Sequence, residues 1–426
     1  MKIWRRYGTT ALFLGLTICL TAAGFLLTEK GFSEMENRYL QKKPEFSWKA
    51  LFDGSFGEAY EDYLGDQFPF RQSFVAARTG AERLLGREDV NGVYFGKDGY
   101  LLEKFDREDI ETEQMEKNLD ALAGFLTRQA GRLGADRVRA MLVPSASWIL
   151  KEKLPFAAAP YDQGTVVRML EKRLTAGSSF SGTEAYDGDA GTAFNLPADA
   201  MVVDVEQSLR EHRLEEIYYR TDHHWTVLGA YYGYCAWAES MGFVPREKEE
   251  FAVETVSRNF LGTVQAKVGV GAEPDRMERW VPVDGTEWEA YYDRAEEPAG
   301  LYAESALESR DKYRFYLDGN HGLTEIRRVK AGGNGAGENG AGENSARENG
   351  AETSGRKLCI IRDSYANSFA PFAACHYDSV FLVDLRYFNG DLETFLEQEG
   401  ITDILALYRI PGFAVENSVW KMGKRG

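Results

Sequence analysis

Cysteine and histidine are both scarce in this sequence, and each scarcity removes a class of chemistry. Among 426 residues there are four cysteines, Cys19, Cys235, Cys359 and Cys375, widely spaced and without a CxxC pair. That pattern is neither a disulfide framework nor a zinc site. Cys19 lies in an apolar leader, and the other three read as small core residues. Positive charge is also in deficit, with a formal net charge of -17. An acidic surface argues against nucleic acid as a partner, because phosphate binding needs a basic face. It does not choose between a small substrate and a sugar polymer. Hydrophobic residues make up 44% of the chain, enough for a true core, and the length allows one large domain or two ordinary ones.

Thr9 to Leu27 carry no charge, and Lys2, Arg5 and Arg6 precede them. As a helix this run rises roughly 28 Å, close to the ~30 Å hydrocarbon core of a bilayer. The basic flank places the remainder of the chain outside the cytoplasm. Thr21-Ala22-Ala23 is small enough for signal cleavage, but the apolar run continues through Phe25, Leu26 and Leu27, which favours a retained anchor. Bulky Ile18 before Cys19 argues against a lipoprotein.

Residues 31 to 90 read as a stalk and packing segment, with helical spacing from Gln72 to Leu85 and short strands around Val93-Tyr94-Phe95 between Asn91-Gly92 and Asp98-Gly99. From about residue 110, helical and apolar runs alternate. Met115, Leu119, Leu122, Phe125, Leu126 and Leu133 form one helical stripe. Five runs read as strands: 138–143, 201–205, 358–361, 380–383 and 404–408. Short apolar runs between helices predict an α/β fold, a mostly parallel sheet flanked by helices, with sites beyond the carboxyl ends of its strands. Residues 176–200 and 331–355 read as insertions. The second is a degenerate five-residue repeat with almost no apolar side chain and is expected to be disordered.

Of five histidines, two fall in Asp222-His223-His224-Trp225, at a loop-to-helix entry where Thr226 is the expected N-cap. In an extended stretch Asp222 and His224 share one side and His223 faces away. A carboxylate beside an imidazole fixes its tautomer and stabilises the imidazolium, as a general base requires. A metal needs three or more ligands, and no further cluster has ligand spacing. Ser364 directly follows the strand Leu358-Cys359-Ile360-Ile361. At a strand-to-helix turn its hydroxyl is exposed near backbone N–H groups able to stabilise an oxyanion. The plainer reading is that Asp363 or Ser364 caps the helix.

Asp222-His223-His224-Trp225 and Arg362-Asp363-Ser364-Tyr365 together resemble the paired signatures of the DHHW family, which is similar to the alginate O-acetyltransferase group of SGNH-hydrolase-like proteins. Supporting segments are Asp66-Gln67-Phe68-Pro69-Phe70-Arg71, Asn91-Gly92-Val93-Tyr94, Leu142-Val143-Pro144 and Asp384-Leu385-Arg386-Tyr387. The resemblance implies a flavodoxin-like domain over 91–426, with Asp222 as orienter, His224 as base and Ser364 as nucleophile. On ligand spacing no metal is expected, and no cofactor. The resemblance also implies transfer of acetyl, delivered by a multi-spanning membrane acyltransferase, onto an exported polysaccharide. Many relatives have glycine where this chain has Arg362. Hydrolysis by the same triad, or a non-catalytic glycan-binding role on the same fold, are the alternatives that sequence leaves open.

Overall fold

The computed structural model describes residues 2–33, 38–178, 201–330 and 355–423. Of the insertions read at 176–200 and 331–355, residues 179–200 and 331–354 lie outside the described residues; residues 176–178 complete a helix and residue 355 stands in a turn. The elements that position the site are helices α1 (Lys2–Leu26), α2 (Glu113–Leu133), α3 (Gly164–Ser178), α4 (Val227–Ser240) and α5 (Ala366–Ala373). The strands are β1 (Val138–Val143), β2 (Glu287–Tyr292), β3 (Leu323–Lys330), β4 (Lys357–Arg362), β5 (Ser379–Val383) and β6 (Asp403–Arg409).

These six strands form one sheet in the order β1-β6-β4-β5-β3-β2. The first four are mutually parallel, and β3 and β2 extend the β5 edge antiparallel. The sheet is therefore mixed, and its membership differs from the five runs expected. Residues 201–205 do not form a strand. Val202 makes only an isolated parallel bridge to Ala140. Two residues on, the Asp204 side chain accepts the Gln207 N–H and starts the helix Val205–Glu211, which ends the extended stretch.

The central strands are buried on both faces, so their side chains alternate between two cores. Leu358, Ile360, Leu405 and Leu407 pack on one side with Trp225, Trp237 and Phe369. Cys359, Ile361, Ile404 and Ala406 pack on the other against the α2 stripe Leu119, Leu122, Phe125 and Leu126. The same alternation buries Cys359, and Cys375 is buried in the short helical turn Ala374–His376; all four cysteines are free thiols.

Ahead of this body, Asn91 and Gly92 both take positive φ, 50° and 71°, in the two-residue turn between Asp89–Val90 and Val93–Phe95. That is the geometry Asn-Gly favours in a tight hairpin. The helix Arg71–Leu84 lies one residue from its expected start. Within α1, Tyr7–Gly24 is long and apolar enough to cross a membrane.

Candidate active site

Ser364 stands two residues beyond β4, at the carboxyl end of the parallel strands, as the fold class requires. Its turn is held by Asp363, whose carboxylate accepts the Tyr365 N–H (2.9 Å) and the Arg409 N–H at the end of β6 (2.8 Å). Asp363 thus fixes the turn, α5 starts after Tyr365 without a side-chain cap, and the Ser364 hydroxyl is left for another partner. That partner is His224: Nε2 lies 2.7 Å from Ser364 Oγ. On the far side of the ring, Nδ1 lies 2.6 Å from Asp222 Oδ1. A carboxylate can only accept, so Nδ1 carries the proton and Nε2 presents a lone pair to the serine hydroxyl. The structure therefore brings Asp222, His224 and Ser364 together in one line.

They meet through a turn, not through an extended strand. The Asp222 carboxylate also accepts the backbone N–H of His224 (3.0 Å), a local side-chain turn. This bend is closed by an antiparallel bridge between Tyr218 and Trp225. As a result His223 does not face away. Its ring centroid is 3.9 Å from that of His224, and its Nδ1 is 2.7 Å from Thr263 Oγ1. Thr263 in turn donates its N–H (2.8 Å) and hydroxyl (3.0 Å) to Asp222 Oδ2. Every Asp222 oxygen is engaged. Gly262 makes this possible: a Cβ there would sit 2.2 Å from Asp222 Cβ.

Arg362 does not distort the turn. Its backbone stays in register with Leu407, and its buried guanidinium donates to Asn320 Oδ1 (2.6 Å) and lies 3.8 Å from Asp384. The backbone N–H of Ser364 donates to no group among the described residues, which leaves it available to a developing oxyanion.

Burial opposes ionisation of Asp222, but His223, His224 and the Thr263 N–H overcome it and hold the carboxyl well below the usual range. Burial and the neighbouring His224 push His223 down to about 3, and burial with nearby arginines does the same for His376. Both histidines therefore fold neutral and must gain protons on unfolding. Native pKa values depressed below about 6.5 mean that stability is full above that pH and falls as pH drops toward 3. Melting temperature is expected to fall steadily from pH 7 to 5. His376→Phe should flatten part of that slope, and an unchanged slope would remove His376 from the account.

Sequence reasoning missed the ring stacked on His224. Tyr313 stacks on His224 with centroids 3.6 Å apart and planes 9° from parallel, and its hydroxyl lies 3.1 Å from Ser368 Oγ. Nothing in Asp311-Lys312-Tyr313 signals this, because the residue arrives from a separate short helical turn. Face-on stacking stabilises an imidazolium by about 1–2 kcal/mol, roughly tenfold in rate. Tyr313→Leu is expected to lower turnover of an ester substrate by that factor, whereas Tyr313→Phe, which keeps the stack, changes little. Equal effects of the two would assign the role to the hydroxyl.

The ligand atoms of Asp222, His223 and His224 lie within 4.8 Å of one another, so these residues are the metal-capable group among those described. Recruiting them would cost His224 its bonds to Ser364 or Asp222.

The tetrad at 222–225 falls within a longer match. Residues 200–287 match the DHHW protein family. The chain is also similar to a DHHW family protein of known structure from Eubacterium siraeum, with TM-score 0.57 and 22% identity over 79% of this chain and 96% of that one. It is similar to Bacillus cereus PatB1, TM-score 0.52 and 16% identity over 77% and 97%, and to the same protein with a sulfonyl adduct, TM-score 0.50 and 16% over 75% and 97%. The O-acetyltransferase domain of Pseudomonas putida AlgJ gives TM-score 0.41 and 12% identity over 78% and 99%. No curated protein sequence matches. Outside the DHHW segment these likenesses are of fold. Within it lie Asp222, His224, Gly262 and Thr263, while Ser364 comes from beyond it.

Proposed function

We propose that this chain is an O-acetyltransferase that works through an acyl-serine on Ser364 and acts on an extracytoplasmic polysaccharide. The observation that carries the reading is the pair of hydrogen bonds flanking the His224 ring, 2.7 Å to Ser364 Oγ and 2.6 Å to Asp222 Oδ1. Ser364 Oγ attacks the donor carbonyl as His224 Nε2 takes its proton. The same proton then passes to the leaving group, and the acetyl remains on oxygen. An acceptor hydroxyl repeats the sequence in reverse. Asp222, held ionised by its four hydrogen bonds, stabilises the imidazolium throughout. The Ser364 N–H at the start of α5 is a natural oxyanion donor. A sulfonyl adduct on PatB1, a protein of similar fold, is consistent with a reactive nucleophile on this scaffold.

In this reading residues 1–30 are the anchor, 31–90 a stalk, and 91–426 an SGNH-like domain outside the cytoplasm. The basic start of α1 gives that orientation. A multi-spanning membrane acyltransferase supplies acetyl. The test is incubation with an acetyl ester donor and candidate glycans, followed by mass spectrometry of the sugar. Acetylated glycan supports transfer. Free acetate alone with every glycan would instead make the protein an esterase.

A further inference from the structure

We infer that an aromatic ridge in the segment following α1 lies in the lipid interface and docks the body onto the bilayer surface. The ridge runs through Phe46, Trp48, Phe52, Phe56, Tyr60 and Tyr63. Successive rings touch: Phe46 with Trp48 at 5.3 Å and with Phe56 at 5.4 Å, Phe56 with Tyr60 at 5.7 Å, Tyr60 with Tyr63 at 5.7 Å. The two helices that carry most of it, Trp48–Phe52 and Ser55–Asp66, bury no residue at all. Phe46 is 57% exposed, Trp48 67% and Phe52 84%. Phe56, Tyr60 and Tyr63 are half-buried, and the exposed cluster of Phe46, Trp48 and Phe52 marks an interaction surface.

The occupant follows from where the ridge ends. Tyr63 donates its hydroxyl to Glu29 Oε1 (2.5 Å), three residues past the end of α1. The Lys30 N–H donates to Gln67 Oε1 (3.0 Å), and Gln67 Nε2 returns a bond to the Lys30 carbonyl (2.9 Å). Pro69 sits against Gly24 in the last helical turn. The ridge is thus tied to the point where the membrane-length helix emerges, the depth at which Trp and other aromatic rings gather in membrane proteins. A flanking amphipathic segment there sinks its apolar face about 5–10 Å into the headgroup boundary. Lys42, Lys43 and Lys49 share this segment with Glu45, Asp53, Glu58, Glu61, Asp62 and Asp66, so burial of the rings, not charge, carries the docking.

The test uses the full chain in phosphatidylcholine–phosphatidylglycerol nanodiscs with or without brominated acyl chains, comparing wild type with Trp48→Phe. The expected result is a fluorescence component quenched by bromine and missing from Trp48→Phe, beside the quenching of Trp4 in α1. Trp4 quenched with the Trp48 component untouched would overturn the inference, since the anchor would be inserted and the ridge outside lipid. No quenching of either would overturn both the ridge and the anchor. An unquenched, blue-shifted Trp48 together with two chains per disc would assign the ridge to a second copy instead.

Discussion

Ser364→Ala is expected to abolish acyl transfer while leaving the melting temperature close to wild type. The hydroxyl is partly exposed and makes one side-chain hydrogen bond, to His224, so its loss removes little packing. His224→Ala should be similarly severe in activity. The double variant should cost little more than either single one, because a nucleophile and its base act as one unit and their losses do not add. Asp222→Asn leaves the imidazole in the wrong tautomer, an effect that reaches ~10⁴ in well-studied triads. His223→Ala falls between wild type and His224→Ala, since it removes a ring packed on His224 and a partner of Thr263 but no reacting atom. Rates with an acetyl ester donor, read beside thermal melts, check all five variants. Full activity in Ser364→Ala would end the catalytic reading.

Gly262→Ala should be nearly as damaging, although it adds one methyl group at a position with no chemical role. Its backbone, φ -90° and ψ -168°, suits alanine without strain, so the effect is purely steric. The new Cβ would lie 2.2 Å from Asp222 Cβ and 2.3 Å from Oδ2. Asp222 must move, and it takes the Thr263 bonds and the His224 contact with it. Overpacking of this kind costs about 1–3 kcal/mol in stability. Misplacing a catalytic group by about 1 Å costs ~10²-fold in rate. The control is Gly131→Ala, within α2 with nothing within 4 Å, where replacement should be neutral or mildly stabilising. Stopped-flow acylation and melts of both variants decide the point. A fully active Gly262→Ala would mean that Asp222 has slack the structure does not suggest.

The parts of the molecule legible in the sequence are those set by local chemistry. Asn91-Gly92 marked a hairpin because only such residues accept both positive φ values cheaply. The α2 stripe and strands β1, β4, β5 and β6 announced themselves as apolar runs with helical or continuous periodicity. Strands β2 and β3 did not, because only one face of each is strongly apolar. Glu325 and Arg327 alternate with Thr324 and Ile326, so β3 reads as a polar segment to a search for continuous runs. Val202 and Val203 misled for the opposite reason: the apolar pair is buried, yet the cap supplied by Asp204 turns the chain into a helix at once. At the site, Asp222 and His224 carry their own chemistry in the sequence, whereas Ser364, which by itself reads as a helix cap, stands out only beside them. Gly262, Thr263 and Tyr313 were not legible, since their importance is purely one of approach from distant segments. His223 was placed on the wrong side because a turn, built by the Asp222 carboxylate, replaced the extended backbone assumed for it.

The most direct test of the central claim is the acyl-enzyme itself. The full-length protein is mixed with an acetyl ester donor, quenched in acid within the first turnover, digested and mapped by mass spectrometry. The account predicts one acetyl group per chain on the peptide containing Ser364, absent from Ser364→Ala and strongly reduced in His224→Ala. A folded protein that turns over donor with no acetyl on Ser364, or that acetylates equally well as Ser364→Ala, would contradict it.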